Sequence, residues 1–381
     1  MNRKTFAILL AFLSMGFGDA VGPFVGLAKE QFALSNFEAQ LIAFMGFIMF
    51  GILSVPMGIV QDRTGKKFVL LLGLAIALTG LVLPLIGLNS YALFLLTILM
   101  LGAGAAILQV AGNPIMRDVS EPGKYSRNLS FGQFIKAIGS LSGSLIPFAA
   151  AKWMGMDWRV LFPIYVASLL ITLIIIGFTR IQEVKADKEP ATLATCFSLL
   201  RNRFILLMVL GIFVYVGIEI CLSSGVPILL STHYGIDLKT WGLLGNAFFF
   251  IAILTGRFLG SVILSWMNPR SFFRLTVALS ALGLLLIFVD NQAVTLAGVF
   301  ITGLGFANIF PLIFSITVDS MPERANEISG LMVTAIAGGA FIPPLMGLLA
   351  DATSVRFGFI VPLIGIVFIA LLTMAKPKTQ A

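Results

Sequence analysis

Four ionisable side chains lie inside long apolar runs: Asp19 in FGDAVGP, Lys136 in FGQFIKAIGS, Glu219 in YVGIEI and Arg257 in TGRFLGS. Two acids and two bases in such surroundings can pair with one another, carry a proton, or hold the polar groups of a solute. Residues three and four apart share a helix face, so further polar groups fall beside them. Gln133, Lys136 and Ser140 make one stripe, Tyr215, Glu219 and Ser223 a second, and Gln109 with Asn113 a third. Asp19 is flanked at the same spacing by Met15, Gly16, Gly22 and Pro23, which leaves room for water or a ligand.

Bond-making chemistry is poorly served. The single histidine, His233, falls at the end of an apolar run and is expected in a loop or interface, so no nucleophile–histidine pair is available. No phosphate-binding glycine loop precedes a helix start, which leaves ATP-driven chemistry unsupported. Cys196 and Cys221 suit neither a disulfide nor a metal cluster. The expectation is a protein that is not an enzyme and needs no cofactor or metal.

The elements that carry these residues are long and greasy. Of 381 residues, 59% are hydrophobic and 11% charged, where soluble chains carry about 25% charged residues. Mean hydropathy is +1.03. Apolar stretches long enough to cross a bilayer recur along the chain, at about 5–28, 38–60, 68–88, 91–116, 126–151, 159–179, 204–230, 240–264, 272–289, 292–318, 326–350 and 355–375. A charge at the bilayer centre costs at least about 2.5–3.5 kcal/mol on insertion scales, so it faces a partner or a wet cavity. The helical rise of about 1.5 Å per residue puts Asp19, Lys136 and Glu219 in the middle third of their spans. Arg257 falls nearer one end and is expected to pair with Asp319 or Glu323.

Basic residues such as Arg63, Lys66, Lys67, Arg201 and Arg203 collect in one set of connections, against Lys29, Lys152, Arg159, Lys239 and Arg356 in the other. That bias predicts both termini in the cytoplasm. It also accounts for the net charge of +8 without nucleic acid. The longest polar connection, with RIQEVKADKEPAT, predicts a linker at 181–203 between six-helix units at 1–180 and 204–381. The units resemble each other: Gly102, Gly104 and Asp118 align with Gly303, Gly305 and Asp319. Such a repeat is common in secondary transporters. The cluster AIAGGAFIPP, 335–344, is expected to bend as a cavity opens.

The segment GIVQDRTGKK, 58–67, is similar to the loop motif of the major facilitator superfamily, filled here by Gly58, Asp62, Arg63, Gly65 and Lys67. LQVAGNP, YVGIEI, TGRFLGS, GFANIFPLIFSI and SGLMVTAIAGGAFIPPLMGLLAD extend the resemblance over both units, to the fucose–galactose–glucose symporter group of that superfamily. The resemblance implies an all-α membrane protein of twelve transmembrane helices in two six-helix halves. It implies cation-coupled symport of a sugar or sugar-like solute by alternating access in the inner membrane of a bacterium. The coupling ion is a proton, with sodium as the alternative, and the expected form is a monomer.

Proton coupling is expected at Asp19, Lys136 and Glu219. Substrate contacts are expected from Gln109, Asn113, Gln133, Lys136, Tyr215 and Glu219, with Asn246 and Asn308. Gating is expected from Asp62, Arg63, Lys67 and Arg257. Two departures bear on cargo: Gln109 stands where the fucose permease of the group has a glutamate, and Lys136 where it has an asparagine. Lys136 is therefore open to three readings: a fixed salt bridge to Asp19, a partner that a proton on Asp19 releases, or a counter-charge for an acidic solute. An efflux antiporter of amphiphilic compounds is the remaining alternative.

Overall fold

The structure, a computed structural model, describes residues 3–87, 90–119, 125–181, 183, 192–237, 243–264, 266–318, 320–321 and 324–375. Six crossings come first. Helices α1 (Arg3–Asp19) and α2 (Val21–Phe32) form one broken span, followed by α3 (Asn36–Thr64), α4 (Lys66–Val82), α5 (Tyr91–Asp118), α6 (Tyr125–Met154) and α7 (Leu161–Phe178). A short helix, α8 (Leu193–Ser198), lies in the central connection. Residues 182 and 184–191 of the expected linker lie outside the described residues.

The second six crossings are α9 (Arg203–Tyr234), α10 (Leu243–Ile263), α11 (Pro269–Ile287), the pair α12 (Gln292–Phe306) and α13 (Ile309–Val318), the pair α14 (Ala325–Thr334) and α15 (Gly338–Ala352), and α16 (Val355–Gly358) with α17 (Ile360–Leu372). Among the described residues, eleven spans are long and apolar enough to cross a membrane by themselves, and α10 contributes the shorter apolar stretch Ala247–Gly260. The twelve-helix expectation therefore holds, and the even number of crossings sets Arg3 and Leu372 at one end of the bundle.

Local chemistry explains the starts and the breaks. Ser35 and Glu38 form a reciprocal capping box at the start of α3, and Asn202, Asn268 and Asn291 cap α9, α11 and α12. Gly65, at φ +94°, makes the sharp turn between α3 and α4, a conformation that side chains disfavour. Proline cannot donate to the carbonyl four residues earlier. Pro23 thus frees the carbonyl of Asp19, where α1 ends. Pro311 frees that of Ala307, between α12 and α13. The cluster at 335–344 interrupts its span with a 3₁₀ turn at Ala335–Ala337, where a bend was expected.

Two hydrophobic clusters fill the interior. One is built mainly from the first six crossings around Phe12, Phe24 and Phe162, the other mainly from the last six around Phe249, Phe306 and Phe359. Between them runs a seam, closed at the end opposite the termini. There Gly22 of α2 lies against Ser223 of α9, and Ser224 Oγ donates to Gln40 Oε1 at 2.9 Å. Phe44 meets Phe341 edge-on at 5.7 Å, and Gly339 of α15 packs on Phe47. Asn36 and Phe37 meet Asp351 at the last turn of α15. Gly58 of α3 and Gly330 of α14 are open positions, since a Cβ on either would find no atom within 4 Å.

Candidate functional site

The break after Asp19 and a glycine contact together make the site. A Cβ on Gly16 of α1 would stand 2.8 Å from Gly139 Cα and from Ser140 N of α6. Gly143, one turn on, leaves similar room for Ala20. The two backbones therefore touch, as small residues allow in membranes. That contact brings Asp19 level with Lys136.

Lys136 Nζ lies 2.9 Å from Asp19 Oδ2, and Ser140 Oγ donates to the same oxygen at 3.2 Å. The pair is not sealed: the Lys136 and Asp19 side chains keep 14% and 26% of their exposure. The first span is 83% buried along its apolar window, and the seam is closed at the far end. That residual exposure marks an incompletely packed polar site between the crossings. Gln133, one turn before Lys136, and Gln109 on α5 are half-buried.

The second six crossings supply the opposite pair. The Glu219 carboxylate on α9 lies within electrostatic reach of Arg257 on α10, and more weakly of Asp19 and Lys136. Two acids and two bases thus meet at the seam with balanced charge. No carboxylate oxygen among the described residues comes within salt-bridge distance of Arg257. Its expected partners, Asp319 and Glu323, lie outside the described residues. Ser223 Oγ, one turn beyond Glu219, is buried beside Gly22 without a hydrogen-bond partner.

Other expected contacts are committed elsewhere in the fold. Tyr215 Oη donates to the Phe306 carbonyl at 3.0 Å, and Asn308 Nδ2 donates to the Gly256 carbonyl at 2.8 Å. Both bonds tie the break between α12 and α13 to its neighbours, and both side chains are buried. The side chains of Asn113 and Asn246 lie outside the described residues. His233 sits at the end of α9, 2.9 Å from Asp290 Oδ1, in the peripheral place expected of it.

The loop motif at 58–67 is bound into the first six crossings. Lys67 Nζ donates to the carbonyls of Gly177 and Thr179 at 2.8 and 2.9 Å, at the C-terminal end of α7. Glu183 accepts from the amides of Lys66 and Lys67 at 2.6 and 2.9 Å, at the N-terminus of α4. Lys66 Nζ reaches Asp118 Oδ2 at 2.5 Å. Arg63 is exposed, and the Asp62 side chain lies outside the described residues. Sequence reasoning missed Glu183 as the cap of α4, since no spacing rule links a residue to a helix start more than a hundred positions away.

Three comparisons bear on this arrangement. The model of the Major Facilitator Superfamily matches residues 7–342. The chain is 28% identical over 364 residues to a glucose/galactose transporter of Brucella abortus, covering 92% of this chain and 88% of that protein. It is 24% identical over 398 residues to the L-fucose-proton symporter of Haemophilus influenzae, covering 93% and 91%. Among solved structures it resembles a D-xylose-proton symporter with a TM-score of 0.77 at 17% identity, over 98% of this chain and 97% of that one.

Proposed function

From the premise that the chain belongs to the Major Facilitator Superfamily, we propose that it carries a sugar across the inner membrane in symport with a proton. It works as a monomer with both termini in the cytoplasm. Residues 1–180 and 204–381 act as two rocking units joined by the linker at 181–203. The basic connections described above support that orientation, and the names borne by its relatives support the cargo.

The observation that carries the reading is the Asp19–Lys136 pair in a wet, mid-membrane site. With Asp19 ionised, the pair is neutral and occupies the amine that a solute would use. A proton on Asp19 leaves a buried ammonium without its partner, which is costly. Hydroxyl groups of a bound sugar relieve that cost, together with Gln133 and Gln109. Proton and sugar therefore favour each other's binding, and by linkage the effect is reciprocal. Glu219 and Arg257 supply the matching charges from the other unit, so site charge and unit closure are coupled. Asn113 and Asn246 complete the solute-binding shell. Asp62, Arg63 and Lys67 govern gating at the cytoplasmic end.

The acidic-solute reading asks Lys136 to be free for a carboxylate, whereas its amine already holds one at 2.9 Å. The deciding experiment is counterflow in proteoliposomes against neutral hexoses, amino sugars and sugar acids, with pH and sodium varied independently. Uptake of a neutral hexose that follows the proton gradient and ignores sodium is the expected result. Transport restricted to sugar acids, or driven by sodium alone, overturns it.

A further inference from the structure

Helix α3 begins with amides that have no acceptor within the helix. Ser35 Oγ takes the third, from Glu38, at 3.2 Å. The first two come from Asn36 and Phe37, and Asp351 of α15 accepts both, at 3.0 and 2.8 Å. Asn36 Nδ2 donates to the same carboxylate at 2.5 Å. Lys29 Nζ completes the cluster on Asn36 Oδ1 at 2.5 Å, within electrostatic reach of Asp351. One turn before Asp351, Gly347 lets the backbones meet: a Cβ there would stand 2.8 Å from the Asn36 carbonyl oxygen and 3.0 Å from Phe37 Cα.

The same chemistry occurs at the opposite end of the bundle, where Glu183 caps α4. Glu183 follows α7 at the start of the linker and folds back onto α4 of the first six crossings, so that cap does not cross between the units. Asp351 and α3 belong to different units. A carboxylate on the positive end of a long helix is favourable, and this one is made across the moving seam.

We propose that Asp351 is the latch of the outward-closed state in the transport cycle. Its carboxylate holds the end of α15 on the start of α3, and opening the cavity to the outside requires its release. The proposal rests on the orientation and rocking motion given above. Once released, both the carboxylate and the two amides are hydrated, so the latch biases the equilibrium without locking it. A helix cap of this kind corresponds to about a tenfold change between two states.

Ser224 reports the motion, because it is fully buried in the seam below the latch. In a Ser224→Cys chain, labelling by a membrane-impermeant maleimide in right-side-out vesicles measures outward opening. Both native cysteines are buried, and the chain without the new cysteine sets the background. Asp351→Ala is expected to speed labelling by about tenfold. Asn36→Asp, which keeps the latch acid and sets a like charge beside it, is expected to act in the same direction. A merely structural role would lower thermal stability and leave the labelling rate alone. Labelling within about twofold of the parent in the folded variants overturns the latch. If the orientation is reversed instead, the acceleration appears only in inside-out vesicles, which separates the two failures. Should Asp351→Ala not fold, Asn36→Asp carries the test.

Discussion

Lys136 Nζ and Asp19 Oδ2 stand 2.9 Å apart on two helices whose backbones touch at Gly16 and Gly139. The ion pair is thus a product of helix packing. Its partial exposure makes it responsive to a proton or a solute, where a sealed pair would be fixed.

Asp19→Asn removes the titratable partner while keeping its shape. Concentrative uptake should vanish, with the accumulation ratio falling to about one, the value without coupling. Counterflow exchange should survive in part. Accumulation at the parental ratio in proteoliposomes would remove Asp19 from the coupling role.

Lys136→Asn leaves the Asp19 carboxylate without its cation, and the partial exposure of the pair keeps the cost below that of a sealed one. Uptake should fall by more than about tenfold, and the order of preference among sugars should stay the same. A sugar acid carried by the parent and lost in the variant, measured in the same panel, would move the assignment to an acidic solute.

Gly16→Ala puts a methyl group where α6 leaves no space. Overpacking of this kind costs about 1–3 kcal/mol, and the helices must part at the level of the pair. A lower unfolding temperature together with reduced uptake is expected. Parental values of both in detergent and in liposomes would show that the contact does not set the pair.

Glu183→Gln weakens the cap on α4 by about 1 kcal/mol. Since Glu183 ties the start of the linker to α4 and Lys67 of the first unit without crossing the seam, stability should drop while KM for the solute holds. A large rise in KM with unchanged stability would place the loop in the binding step.

Arg324 bridges Glu327, at 2.6 Å, to the Thr195 carbonyl of α8, at 2.8 Å. The Arg324 hydrogen bond holds the Glu327 carboxyl below the usual carboxylate range. A depressed folded value means that the contribution is fully present above the unfolded value of about 4.3 and is lost as pH falls through the lower folded value. Docking of α8 should therefore persist at neutral pH and weaken only in strong acid. Glu327→Gln should make the central connection more sensitive to protease at pH 7, read by limited digestion. Equal digestion rates would show that Arg324 holds α8 without Glu327.

Hydropathy and helical spacing were enough to number the crossings, to find the four buried charges, and to set Lys136 and Ser140 on one face. Those features are local: a bilayer demands apolar runs of a set length, and a helix repeats every 3.6 residues. Proline four residues after Asp19 also marks the break by a local rule. The pairing of Asp19 with Lys136 was common to two of three open readings and stayed open, because the spacing within α1 or α6 says nothing about which helices touch. Gly16 and Gly139 decide that by allowing backbone contact. Tyr215 and Asn308 read as substrate contacts, yet Tyr215 Oη donates to the Phe306 carbonyl and Asn308 Nδ2 to the Gly256 carbonyl inside α10. Asp351 and Glu183 gave no signal at all, since an acid becomes a cap only when packing sets it at the start of another helix. Sequence alone determined the membrane, the crossings and the list of charges. Tertiary structure decided which charges meet, because that depends on the close approach of segments far apart in the chain.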